Sequence, residues 1–219
     1  PGDYRQVRAW ARSTAGVQVP VSIVHRADIV PDGSAPGLLT AYGAYEVSSD
    51  PYFSVARLSL LDRGVVFAVA HVRGGGEMGR HWYDDGKLLA KPHTFEDTIA
   101  AARLLHDEGW VAPDRLGLEG GSAGGLLVGA VANLAPELFR VVHGAVPFVD
   151  ALTTILRPDL PLTVGEWEEW GNPLEDPEVY ACMKGYTPYE NVAARDYPAI
   201  LATTSLHDTR VFFTEPAKW

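Results

Sequence analysis

The sequence predicts an α/β domain built on a mostly parallel sheet with helices over both faces. Three observations carry this reading. The run 64–72 (GVVFAVAHV) is an almost unbroken apolar, β-branched stretch, as expected of a strand covered on both sides. Strand-like and helix-like segments alternate along the chain, the pattern of parallel strands joined by helical crossovers. Finally, Gly120-Gly121-Ser122-Ala123-Gly124-Gly125 stands between a short apolar stretch at 115–118 and a helix-like run at 126–133.

Residues 7–12 and 17–25 are β-rich and flank Ala15-Gly16, so they predict a hairpin. Residues 37–42 (GLLTAY) read as a buried strand, followed by the 64–72 strand. A helix is expected from about Phe95 to His106. Thr94 and Asp97 form its capping box, Phe95, Ile99 and Ala102 share one face, and Gly109 stops it. The strand before Ser122, the helix after it, and strands at 141–146 and 199–203 complete the sheet. Neither repeats nor low-complexity tracts nor a linker interrupt the pattern, and one domain is expected.

Composition narrows the function classes. The 219 residues, 47% of them hydrophobic, suffice for one full core. A net charge of −10 argues against nucleic acid as the main partner, because phosphate binding rests on basic patches. No apolar run reaches the length of a membrane span and the N-terminus lacks a signal-peptide pattern, so no membrane partner is expected. The single cysteine, Cys182, excludes an internal disulfide framework and fits a reducing, cytoplasmic location. Six carboxylates and no Lys or Arg lie between Glu166 and Glu178. Such a run is commonly a solvated face. Here Glu166 and Glu168 alternate with Trp167 and precede Trp170, which suggests a partly enclosed acidic surface.

Gly120, Ser122 and Gly124 fit the G-x-S-x-G nucleophile elbow, where a sharp strand-to-helix turn leaves no room for Cβ atoms beside the serine. The bland alternative is a glycine-rich helix cap. In a parallel sheet, ligands sit beyond the carboxyl ends of the strands. Tyr42-Gly43-Ala44-Tyr45 and Leu206-His207-Asp208-Thr209-Arg210-Val211 fall there together with Ser122. Asp208, C-terminal to the serine, matches the hydrolase order nucleophile, acid, histidine, with a turn aspartate as its alternative. Gly74, Gly76 and Gly79 make a literal G-x-G-x-x-G, with Asp97 about twenty residues on. A dinucleotide loop opens a helix at once, whereas here the polar, aromatic stretch 80–86 intervenes. A loop held by hydrogen bonds from Arg73 and Glu77 is the better reading. No cofactor or metal is expected.

Together, Tyr42–Tyr45, the 71–79 segment (HVRGGGEMG), Gly120–Gly125, the 165–173 segment (GEWEEWGNP) and 207–211 (HDTRV) resemble the prolyl oligopeptidase family of serine peptidases, in family order and over nearly the whole chain. The resemblance implies an α/β-hydrolase fold, incomplete at the C-terminus, spanning 1–219. It makes Ser122 the nucleophile, Asp208 the triad acid, and the Tyr42 hydroxyl and the Ala123 N–H the oxyanion hole. Arg210 would bind a substrate carbonyl. Glu166 and Glu168 would hold a P1 arginine or lysine, and Asp50 would contact a second basic residue. The implied substrates are short basic peptides cleaved after Arg or Lys. A serine esterase or amidase, or a non-catalytic fragment, is the alternative. Eleven residues follow Asp208 and none is histidine; all seven histidines precede it. The family's histidine segment and N-terminal β-propeller have no counterpart in these residues. The chain therefore reads as a fragment, poorly active alone, with apolar surface near Phe148, Leu201 and Phe212 left exposed.

Overall fold

The computed structural model describes residues 2–50 and 52–219. In chain order it contains β1 (Tyr4–Arg12), β2 (Gln18–Arg26), β3 (Gly37–Thr40), α1 (Val55–Asp62), β4 (Val66–Ala70), α2 (Arg80–Asp84), α3 (Pro92–Asp107), β5 (Leu116–Gly121), α4 (Ala123–Leu134), β6 (Val141–Ala145), α5 (Ala151–Ile155), α6 (Thr163–Trp170), α7 (Pro177–Tyr186), β7 (Ala199–Thr203) and α8 (Thr214–Lys218). The strands form one sheet in the order β1-β2-β4-β3-β5-β6-β7. β1–β2 and β2–β4 pair antiparallel, and the remaining pairings are parallel.

The hairpin turns through Ala15 and Gly16, both at positive φ. The central strands are apolar because helices remove them from water. Leu39, Val66, Ala68, Leu116, Leu118 and Val142 are fully buried. α3 packs on β1, β2 and β4, and beside it α4 packs on β5 and β6. α1 rests on β2 and β4, where the Arg57 guanidinium stacks 4.2 Å from the Phe67 ring centroid. At the other edge β7 is exposed along its whole length, including Ile200 and Leu201. Leu201 is thus exposed as expected. Phe148 is instead buried against Trp170, their ring centroids 5.7 Å apart, and Phe212 is half-buried.

The start of α3 corrects the capping-box expectation. The helix begins at Pro92, whose fixed φ suits a first helical position, so Thr94 and Asp97 lie inside it. Both side chains turn to the loop after β4. Thr94 Oγ1 donates to the Arg73 carbonyl at 2.7 Å. The fully buried Asp97 carboxylate accepts from Arg73 Nε (2.9 Å), Arg73 Nη2 (2.7 Å), the Arg73 backbone N–H (3.0 Å) and Ser13 Oγ (2.5 Å). The acid twenty residues beyond the glycines is therefore an anchor for that loop. Glu77 completes it by accepting from the Ser49 N–H at 2.9 Å and facing His71 Nδ1 at 3.3 Å.

Removing one member of a buried pair strands the other charge in a low-dielectric site. Asp97→Ala is expected to cost about 3–5 kcal/mol of unfolding free energy, read as a lowered urea midpoint at constant slope. An unchanged midpoint would refute the anchoring role.

Candidate active site

Ser122 sits between β5 and α4 with φ 56° and ψ −118°, a backbone conformation an L-residue adopts only under constraint. The constraint is visible on both sides. The Ser122 N–H donates to the Ala145 carbonyl (2.9 Å), and the Ser122 carbonyl accepts from Gly125 (2.9 Å), Leu126 (3.2 Å) and Phe148 (3.1 Å). A Cβ at residue 120 would collide with the Gly124 carbonyl, and one at 124 would stand 3.0 Å from the Ala41 carbonyl. Glycine is required there by close approach of the crossing helix. The Ala123 N–H opens α4, where the first turn has no intrahelical acceptors and the dipole favours negative charge.

Ser122 and Ala123 open into a cavity of about 280 Å³, whose walls include Tyr42, Tyr45, Phe148, Glu166 and Arg210. Tyr42 follows β3 and lines the same cavity as Ser122. Burial pushes the phenol pKa up, and the Ser122 contact opposes that shift, so Tyr42 is a neutral donor at ordinary pH. Glu166 projects from α6 and accepts from the Tyr45 hydroxyl and from Trp170 Nε1, the latter at 3.0 Å. Tyr45 and Trp170 meet edge to face with centroids 5.9 Å apart, and burial together with the Glu166 contact raises the Tyr45 pKa strongly. One carboxylate thus stands on the wall of an otherwise largely apolar cavity, fixed by two aromatic donors.

Two expected substrate-binding residues, and the expected triad acid, lie outside the cavity wall. Glu168 is exposed and does not line the cavity, because two steps along a helix turn a side chain by about 200° away from Glu166. Asp50 is also exposed and outside the cavity wall. Asp208 lies in the loop after β7, where its Oδ1 accepts from the Arg210 (2.9 Å) and Val211 (3.0 Å) N–H groups. Those bonds hold its pKa below the usual carboxylate range and orient the carboxylate beside Arg210.

A sequence profile described as the Prolyl oligopeptidase family matches residues 51–219. The chain belongs to that family. Protease 2 of Moraxella lacunata is 52% identical over 216 residues, 99% of this chain and 31% of the relative. Dipeptidyl aminopeptidase BI of Pseudoxanthomonas mexicana is 52% identical over 217 residues, 99% of this chain and 30% of the relative. Oligopeptidase B from Leishmania major superposes with a TM-score of 0.96 at 47% identity, covering 99% of this chain and 30% of that one. The chain therefore spans about 30% of the length of these prolyl oligopeptidase relatives.

Sequence reasoning missed the supports beneath the site. Lys91 and Glu169 are both buried and 3.6 Å apart, and the Tyr83 hydroxyl donates to Glu169 at 2.7 Å. Only the i, i+3 spacing of Glu166 and Glu169 on one helix hinted that the acidic run had an inner face. A second support ties the Arg210 loop down. Glu215 on α8 accepts from the Asp150 N–H at 3.0 Å and from Thr154 Oγ1 at 2.7 Å.

Burial raises the Glu215 pKa to about 7 from a model-peptide value of 4.5. The native state therefore keeps a proton that the unfolded chain releases, and stability falls as pH rises from 4.5 through 7. Glu215→Gln removes this dependence. Thermal or urea unfolding should show the variant gaining about 2 kcal/mol on the wild type between pH 5 and pH 8. A pH-independent difference would contradict the assignment.

Proposed function

We propose that these residues form the nucleophile-bearing part of a serine oligopeptidase that cleaves peptides after arginine or lysine. The observation that carries the reading is Glu166: a carboxylate held by Tyr45 and Trp170 on the wall of the cavity into which Ser122 opens. A P1 guanidinium reaching it would gain a charge-assisted contact out of bulk water, and its fork geometry favours arginine over lysine. Family membership supports the peptidase chemistry.

In the proposed reaction the Ser122 Oγ–H bond breaks as Oγ bonds the scissile carbonyl carbon. The carbonyl oxygen becomes an oxyanion that accepts from the Tyr42 hydroxyl and the Ala123 N–H. The proton passes to a histidine oriented by Asp208 and then to the leaving amine, and water hydrolyses the resulting serine ester. Arg210, on the same cavity wall, would hold a substrate carbonyl. No histidine follows Asp208 within these 219 residues, and because they span about 30% of their relatives' length the base is proposed to belong to a part of the whole protein outside them. Among the described residues no helix is long and apolar enough to cross a membrane.

In the full-length protein, Tyr42→Phe is expected to lower kcat about 10²–10³-fold on an arginine-amide substrate with little change in KM. Glu166→Gln is expected to lower kcat/KM for that substrate about 10²-fold while sparing a neutral acyl ester. Equal losses on both substrates would point to a general esterase. For the 219 residues alone, hydrolysis close to background is expected; turnover abolished by Ser122→Ala would overturn the assignment of the base to a part of the protein outside them.

A further inference from the structure

Among the described residues, Lys91 is a fully buried cation that the proposed reaction does not use. Its side chain is 2% exposed, and the ammonium donates to the Gly43 carbonyl at 2.6 Å and the Gly86 carbonyl at 2.9 Å. It lies 3.6 Å from Glu169 Oε1 and 5.0 Å from the Trp170 ring centroid. Two features make this placement costly. Burial lowers the Lys91 pKa to about 8, and the residue stands at the N-terminus of the sixteen-residue α3, where the helix dipole disfavours a cation. Interior packing alone would favour an apolar residue here.

The partners explain what the cation does. Gly43 follows Tyr42 directly, and its carbonyl sits so close to Gly74 that a Cβ there would collide with it. Gly43 itself has φ 66° and no room for a side chain beside Thr94 and Val72. The Gly43–Ala44 peptide, one residue beyond Tyr42, is therefore held at its oxygen by Lys91 and sterically by Gly74, while the ion pair with Glu169 links the same ammonium to α6, three residues from Glu166.

We propose that Lys91 is a positioning residue, fixing the Tyr42 hydroxyl in the oxyanion hole by clamping the Gly43 carbonyl to the α6 carboxylate. The proposal rests on the oxyanion role of Tyr42 given above. A cation is suited to the task because one ammonium donates to two convergent carbonyls while its charge attracts a carboxylate 3.6 Å away, which no neutral side chain of that reach can do.

The test uses Lys91→Met combined with Glu169→Gln, which removes the buried charges as a pair, in the full-length protein. Hydrogen–deuterium exchange is followed by mass spectrometry, and kcat and KM are measured on an arginine amide. Exchange is expected to rise at least about tenfold in residues 42–48 and not in the central strands. The expected kinetic result is kcat down at least about tenfold with KM within about threefold, since a misplaced donor costs chemistry more than binding. Unchanged exchange in 42–48, or unchanged kcat, overturns the proposal. General loss of protection across the sheet also overturns it, by assigning Lys91 to stability alone. Lack of arginine-amide hydrolysis in the wild type would instead overturn the peptidase reading, and the exchange measurement would still decide whether Lys91 holds the loop.

Discussion

The site depends on a desolvated ion pair that contains none of its residues. Asp97, inside α3, accepts four hydrogen bonds, three of them from Arg73 in the loop after β4. This fixes where the glycine loop leaves the sheet. Gly74 in that loop accepts from the Glu46 N–H at 3.2 Å, and its bare Cα lets the Gly43 carbonyl approach. The position of Tyr42 relative to Ser122 is thus inherited through backbone contacts from a salt bridge one layer deeper. Buried pairs add little net stability but penalise alternatives that separate them. Here that penalty falls on any packing that would shift the loop.

The acidic segment shows how one compositional feature divides in three dimensions. Glu166 lines the cavity, Glu168 faces solvent, and Glu169 is buried against Tyr83 and Lys91. Three carboxylates within four residues have three environments because the helix turns by about 200° from Glu166 to Glu168 and by about 100° more to Glu169. Two of the three are held by aromatic hydroxyl or indole donors, so the interleaved tryptophans and the distant tyrosines are part of the electrostatics.

The strands and the elbow were legible because their signals are local. A β-branched run such as 64–72 must be buried somewhere, and glycines at 120 and 124 around a serine restrict the turn to a few forms. The helical state of 163–170 was not legible: its tryptophans and glutamates suit either periodicity, and burial against Phe148 decides between them. Without the helical state, the different exposures of Glu166 and Glu168 were not legible either. Asp97 was misread for a related reason, because its partner Arg73 is 24 residues away and only the β4–α3 crossover brings them together.

Ser122 has a consequence for how such a chain can change over time. Its backbone is held at a positive φ that glycine would occupy without penalty, at a cost on the order of 1–3 kcal/mol for any other residue. Selection for stability alone would therefore favour glycine at this position, against the hydroxyl. Under the nucleophilic role proposed for Ser122, a serine at this position trades folding free energy for reactivity. Among lineages released from the need for chemistry, this elbow is where relaxation should register first.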